Sequence, residues 1–216
     1  MSKTTLRITE IFHSLQGEAR SMGTPTVFVR LTGCPLRCGY CDTAYAFTGG
    51  VIYELDQVLQ EVGHWQARHV CVTGGEPLAQ PNCIELLKAL CDAGYEVSLE
   101  TSGAMDVSRV DPRVSKVMDL KTPGSGEEHR NLYDNLDHIT PHDQLKFVLC
   151  DEVDYRWAVE MVKQYKLPER TTDLWFSPVH GELDATQLAE WILRDQLPVR
   201  MQIQLHKLLW NDARGK

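Results

Sequence analysis

Short apolar runs alternate with stretches of 3.6-residue periodicity along most of this chain, and few architectures accommodate that alternation. Val27-Phe28-Val29-Arg30-Leu31 is nearly continuous in apolar character, as suits a strand buried on both faces. Leu55, Val58, Leu59, Val62 and Trp65 then repeat with a helical period. Residues 69–73 read as strand and run into Gly74-Gly75. Ile84, Leu87, Leu90 and Cys91 mark a second helix, which Gly94 is placed to stop. Strands are predicted over 96–100, 116–119 and 145–149. Asp151 is a predicted N-cap for a helix carrying Val153, Trp157, Val159, Met161 and Val162. Residues 174–176 read as strand, Leu188, Trp191 and Ile192 as helix, and 199–204 as a closing strand. This order predicts a parallel sheet with crossover helices. A full eight-unit barrel takes about 250 residues. The 216 residues here predict an α/β fold, an incomplete parallel (β/α) barrel in one domain over 1–216. The stretch TPGSGEE at 122–128 is expected as a surface loop.

Polar clusters stand where the predicted strands end: Thr32-Gly33-Cys34, Thr73-Gly74-Gly75-Glu76, Glu100-Thr101-Ser102-Gly103, Asp119-Leu120-Lys121, Ser177-Pro178 and Gln204-Leu205-His206-Lys207. Carboxyl ends of parallel strands converge on the ligand in such folds, so these clusters are expected to form one site. The net charge of −8 and the lack of a basic block argue against a nucleic-acid face. The polar start, and the lack of any apolar run near the roughly 20 residues that span a bilayer, predict no membrane partner.

Seven cysteines, an odd number with no export signal, point to a reducing cytoplasmic setting rather than a disulfide framework. Cys34, Cys38 and Cys41 share one loop. Thiolates favour zinc and iron–sulfur clusters. Structural zinc wants four ligands in two pairs, and neither His13, His64 nor His69 completes a pair spacing. A cubane held by three cysteines leaves one iron open, hence reactive. Cys71, Cys83, Cys91 and Cys150 are expected as small buried hydrophobes. Arg30, the lone charge of its strand, can grip a carboxylate with its planar fork, or pair with a buried acid such as Glu18.

The segments CPLRCGYC and Thr73-Gly74-Gly75-Glu76-Pro77, in this order, resemble the cluster loop and glycine-rich signature of radical S-adenosylmethionine (SAM) enzymes. Phe12 to Glu18 (FHSLQGE), Phe28 to Cys34 (FVRLTGC), Tyr40-Cys41-Asp42-Thr43, Glu100-Thr101-Ser102-Gly103 and Gln204-Leu205-His206-Lys207 are similar to the 7-carboxy-7-deazaguanine synthase family, over residues 8–208. The resemblance implies a [4Fe-4S] cluster on Cys34, Cys38 and Cys41, with S-adenosyl-L-methionine chelated at the open iron. It implies that a 5′-deoxyadenosyl radical abstracts hydrogen from C6 of 6-carboxy-5,6,7,8-tetrahydropterin. Ring contraction with loss of ammonia then yields 7-carboxy-7-deazaguanine, on the way to queuosine.

Site residues follow from the same resemblance. Substrate contacts are expected at Leu15, Gln16, Gly17, Glu18, Arg30, Thr73 and His206. SAM contacts are expected at Tyr40, Asp42, Gly74, Gly75, Glu76, Glu100, Ser102, Asp119, Lys121 and Ser177. Thr43 is expected to bind Mg2+, which takes oxygen ligands. Glu76 is also placed to brace the glycine loop. The chain has Asp119-Leu120-Lys121 where many members have Ser-Pro-Lys, and no role is assigned past Leu208. An external one-electron reductant of flavodoxin or ferredoxin type and a homodimer are the implied partners. Two other readings share features: an activase that installs a glycyl radical on a partner enzyme, and a non-catalytic zinc-binding module.

Overall fold

Residues on alternate positions of a strand face opposite sides of its sheet, and here one side carries apolar residues while the other carries charge. The computed structural model describes residues 4–211 and 213–216. Its single sheet contains β1 (Thr5–Leu15), β2 (Pro25–Leu31), β3 (Val51–Glu54), β4 (His69–Gly74), β5 (Glu96–Thr101), β6 (Ser115–Asp119), β7 (Gln144–Leu149), β8 (Leu174–Pro178) and β9 (Arg200–Met201). Their spatial order is β3-β1-β2-β4-β5-β6-β7-β8-β9, open at both edges. Every neighbouring pair from β2 to β9 is parallel. The incomplete barrel is therefore present. The expected parallel sheet is extended by two strands, of which only β1 runs the other way, since β1 pairs antiparallel with both β2 and β3.

Val27, Val29 and Leu31 of β2, Val70 and Val72 of β4, Leu99 of β5, and Leu145, Phe147 and Leu149 of β7 are fully buried in the core. That core packs against α1 (Leu55–Val62), α2 (Cys83–Asp92), α3 (Glu152–Gln164) and α4 (Ala185–Arg194). The cap predicted at Asp151 is present, accepting from the amides of Val153 and Asp154, and the structure adds a second at Asp184, which accepts from Gln187 N. Among the described residues no helix is long and apolar enough to cross a membrane.

Several expectations are corrected. The β5–β6 and β6–β7 crossovers carry no α-helix. Asp106 and Asp111 side chains accept from the amides of Ser108 and Arg113, which locks turns in the first. Three 3-10 turns fill the second. The closing strand is only two residues long; Gln202 N still donates to Phe176 O of β8 at 3.1 Å, while its Oε1 accepts from Ala19 N at 2.7 Å. Gln204 then caps α5 (Leu205–Trp210), so His206 lies on a helix and not at a strand end. Cys91 and Cys150 are half-buried, unlike Cys71 and Cys83.

The 122–128 stretch lies at the surface as expected, with Pro123, Gly124 and Gly126 exposed, but it is anchored from below. Thr122 and Ser125 are buried, and Asp154, inside the first turn of α3, accepts from Thr122 Oγ1 (2.9 Å), Gly124 N (2.7 Å) and Cys150 N (2.9 Å). Removing this carboxylate strands the Gly124 and Cys150 amides, while Thr122 Oγ1 keeps Val148 O as an acceptor at 3.0 Å. We expect Asp154→Ala to cost about 3 kcal/mol of stability, measured by urea unfolding. A loss under about 1 kcal/mol, within the range of an ordinary surface change, would contradict this role.

Candidate active site

The inward faces of the strands and the segments that follow them enclose a cavity of about 330 Å³. Its wall takes one polar side chain after another around the barrel: Arg30 from β2, Thr73 from β4, Glu100 from β5, Asp119 from β6, Lys146 from β7 and Ser177 from β8. Register accounts for this layer. Arg30 stands opposite Thr73, Asp119 opposite Lys146, and Val148 opposite Ser177. All the residues predicted for the site line the cavity, with one exception.

The exception is Glu76. It is fully buried, and its carboxylate accepts from Leu78 N (3.0 Å), Thr101 Oγ1 (3.0 Å), Ser102 N (2.7 Å) and Ser102 Oγ. These bonds leave it behind the wall, tying the end of β4 to the end of β5. They are the bracing of the glycine loop that the sequence also placed at Glu76.

The cysteine loop is held from several directions. Gly39 N donates to Ser125 O and Glu76 N to Gly33 O. Arg37 N donates to Glu127 Oε1 at 2.6 Å, and the Arg37 guanidinium stacks over Phe47 at 4.3 Å. Cys34, Cys38 and Cys41 are free, half-buried thiols at the cavity wall. Among the described residues no three His, Cys, Asp or Glu side chains are grouped to hold a metal ion. A cluster makes a different demand from a single zinc, since each thiolate binds a different iron. Three soft donors on one loop therefore fit a cubane, with one iron left for a ligand. Burial pushes the Cys34 and Cys38 thiols up, and coordinated iron would offset this by binding them as thiolates.

The glycines serve loop packing. A methyl on Gly75 would overlap Gly33 O and Cys34 Cβ, and one on Gly74 would overlap Leu31 O. Beside them, Asp119 Oδ1 and Tyr40 Oη are buried with no hydrogen-bond partner. Asp119 Oδ2 is taken by Lys121 Nζ at 2.8 Å, and that ammonium lies over the Tyr40 ring. Two orphaned polar atoms on the wall suit a polar ligand such as a nucleoside. Thr43 Oγ1 donates to Asp42 Oδ1 at 3.3 Å.

Arg30 pairs with Glu10, not Glu18: Nε donates to Glu10 Oε1 at 2.7 Å, and Tyr45 Oη donates to the same oxygen at 2.8 Å. This uses the inner edge of the guanidinium. Its terminal nitrogens make no hydrogen bond among the described residues, so a fork remains at the cavity. Glu18 accepts from Lys146 Nζ at 2.5 Å and from Gln204 Nε2 at 2.7 Å. Burial alone would raise its pKa, but the Lys146 ammonium and these hydrogen bonds hold it at about 2. Gln16 Nε2 and Thr73 Oγ1 both donate to Glu100. Glu100, expected near SAM, thus also organises two residues expected near substrate. His206 packs directly against Gly17, where a side chain would collide with its ring.

Sequence reasoning missed Lys146, Tyr45 and Glu10. It also missed the tail, where Asn211, Ala213, Arg214, Gly215 and Lys216 line the cavity and Arg214 lies over Tyr45 at 4.1 Å. Lys146 was discoverable, being the one charge in Leu145-Lys146-Phe147-Val148-Leu149, the same signal that singled out Arg30.

Residues 28–174 match the Radical SAM superfamily, and the chain belongs to that superfamily of enzymes. It is 44% identical to 7-carboxy-7-deazaguanine synthase of Chlorobaculum tepidum, covering 99% of both chains, and 40% identical to that of Koribacter versatilis, covering 95% of this chain and 97% of the other. The crystal structure of QueE from Escherichia coli superposes with a TM-score of 0.74 at 25% identity, over 92% of this chain and 94% of that one. The chain is a member of the 7-carboxy-7-deazaguanine synthase family.

The packing of Gly75 on Cys34 has a measurable consequence. Gly75→Ala is expected to displace the cysteine loop and take up less iron than wild type on anaerobic reconstitution, with an unchanged circular dichroism spectrum. Gly39→Ala, in the same loop but with only Gly124 O near at 3.9 Å, should reconstitute normally. Equal iron uptake by both variants would show that the glycine contact does not set the loop.

Proposed function

We infer that this chain is a radical SAM lyase that converts 6-carboxy-5,6,7,8-tetrahydropterin to 7-carboxy-7-deazaguanine with loss of ammonia, a step toward queuosine. The observation that carries the reading is the content of one cavity: three free thiols on one loop, an arginine fork with open donors, and the ionised Glu18. The names of the relatives support it. When bound, the cluster on Cys34, Cys38 and Cys41 and the S-adenosylmethionine beside it supply the one-electron chemistry that begins with hydrogen abstraction.

The chain's own residues select and hold the ligands. Arg30 is positioned by Glu10 so that its terminal nitrogens can clamp the substrate carboxylate with two charged hydrogen bonds. Glu18 accepts N–H groups of the pterin edge, with Gln16, Thr73 and His206 around the ring. Leu15 and the Gly17 backbone complete that side. Tyr40, Asp42, Ser102, Asp119, Lys121 and Ser177 address SAM. Thr43 Oγ1 offers Mg2+ a neutral oxygen, and the remaining ligands come from substrate and water.

The same reading makes the enzyme cytoplasmic and homodimeric, with electrons from a flavodoxin- or ferredoxin-type donor. The exposed Val51 and Ile52 on the edge strand β3 are apolar surface that a second copy could cover. An activase would need a docking surface for a protein in place of this small charged cavity. A zinc module would leave the family relationship without a purpose.

Reduced, reconstituted enzyme given carboxypterin and SAM should form a product with the mass of 7-carboxy-7-deazaguanine; if carboxypterin is returned unchanged, the assignment fails. The carboxylate clamp is tested separately with a pterin lacking the 6-carboxylate as competitor. Loss of a charged hydrogen bond costs about 1.5–3 kcal/mol, so Arg30→Ala should bind carboxypterin about ten- to a hundredfold more weakly and cease to prefer it over the competitor. Arg30→Lys should also lose binding, since the planar fork is gone. A wild-type preference retained in Arg30→Ala would assign the carboxylate to another group.

A further inference from the structure

Lys146 is the inward charge of β7. Its side chain is only 13% exposed and that of Glu18 only 12%. Its ammonium reaches Glu18 Oε2 at 2.5 Å across 128 positions of sequence. No other hydrogen bond of Lys146 Nζ is recorded among the described residues.

Other charged groups face the pair. Asp119 stands opposite Lys146 in the β6–β7 register but is held by Lys121. Glu100 lies near Lys146 and accepts from Thr73 and Gln16. His206 of α5 is near Glu18, whose other oxygen accepts from Gln204. The two remaining acids are thus committed elsewhere. Lys146 and Glu18 are left to neutralise each other at the wall of the cavity.

We propose that Lys146 is a positioning residue that keeps Glu18 ionised and aimed into the cavity, so that the site reads the N–H donor edge of its heterocyclic substrate. The proposal rests on the carboxypterin reading given above.

A buried carboxylate without a partner takes up a proton, because burial disfavours its charged form. Protonated Glu18 would present a donor to the N–H groups of the pterin, and donor against donor loses the hydrogen bond and leaves both groups unsatisfied. The ammonium prevents this. It also fixes the rotamer of Glu18 by holding Oε2 while Gln204 holds Oε1. A lysine kept only for packing would be replaceable by an uncharged chain of the same length, and the charge state of Glu18 would not enter.

The test is equilibrium binding of carboxypterin to the anaerobically reconstituted enzyme with SAM, from about pH 8 down to about pH 5.5. Wild type and Lys146→Arg should give parallel profiles. Lys146→Met and Lys146→Gln should bind more weakly, and the deficit relative to wild type should grow by up to tenfold per pH unit below the raised pKa of Glu18. Adding Glu18→Gln to either variant should remove that extra pH dependence, because no titrating carboxylate is left. His206 and the pterin titrate in every variant, so the comparison is of profiles and not of single values. Circular dichroism identifies any variant that fails to fold, and the Met and Gln replacements serve as alternatives to each other. Profiles of Lys146→Met and Lys146→Gln parallel to wild type would overturn the proposal, as would failure of the Lys146→Arg enzyme to follow wild type. If wild type itself does not bind carboxypterin, the substrate reading falls and takes this inference with it. If wild type binds and the neutral variants show no added pH dependence, only the inference on Lys146 falls.

Discussion

Most charges facing the inside of this barrel meet an opposite charge, Glu100 instead taking neutral donors from Gln16 and Thr73, and most of the site follows from that pairing. Three pairs form it: Arg30 with Glu10, Lys146 with Glu18, and Lys121 with Asp119. Buried ion pairs add little net stability, because desolvation offsets much of the attraction. Their value here is geometric. Arg30–Glu10 registers β2 against β1, and Lys146–Glu18 binds β7 to the turn after β1. Lys121–Asp119 shapes the end of β6. Each pair leaves ligand-binding capacity over: a guanidinium fork at Arg30, lone pairs on Glu18, and the unpartnered Oδ1 of Asp119.

The open sheet creates a second requirement, since its edges do not pair with one another. The turn from Gln16 to Thr24 meets this need by reaching beneath β7, β8 and β9. Arg20 bonds Asp173 just before β8, Arg20 N donates to Gln144, and Ala19 N donates to Gln202. From the other direction α5 is latched to the same turn by Leu205 N donating to Gly17 O. His206 can occupy its place only because residue 17 has no side chain. Early and late parts of the chain therefore meet on the side of the cavity assigned to substrate.

The cysteine loop depends on neighbours that have no ligand role. Glu76 spends its whole carboxylate on β5 and its own turn, which fixes the glycine edge. That edge packs on Gly33 and Cys34, while Ser125 and Glu127 grip the loop from the β6–β7 crossover. Asp154 steadies the crossover in turn. A reactive cluster site needs such support because the thiols are spaced by backbone, and backbone in a loop has no ladder to hold it.

Period-2 and period-3.6 patterns made the barrel legible from the chain alone, because burial on one face constrains residue type position by position. Every strand from β2 to β8 but β3 falls within a residue or two of its expected place. The cavity residues were legible through short motifs at strand ends, where backbone shape and ligand chemistry both restrict the choice of side chain. Other features were invisible for one shared reason. The pairing of Glu18 with Lys146 and of Arg30 with Glu10, the anchoring of 122–128 by Asp154, the two-residue β9 and the return of Asn211 and of residues 213–216 to the cavity are contacts between distant segments. No local pattern encodes which partner a charge will find. The sequence by itself determined the fold class, the thiol loop and the chemistry available at the strand ends. Only the tertiary structure decided which charges neutralise one another, and so which atoms remain free to bind, because burial forces each charge to choose among whatever partners the folded chain brings near.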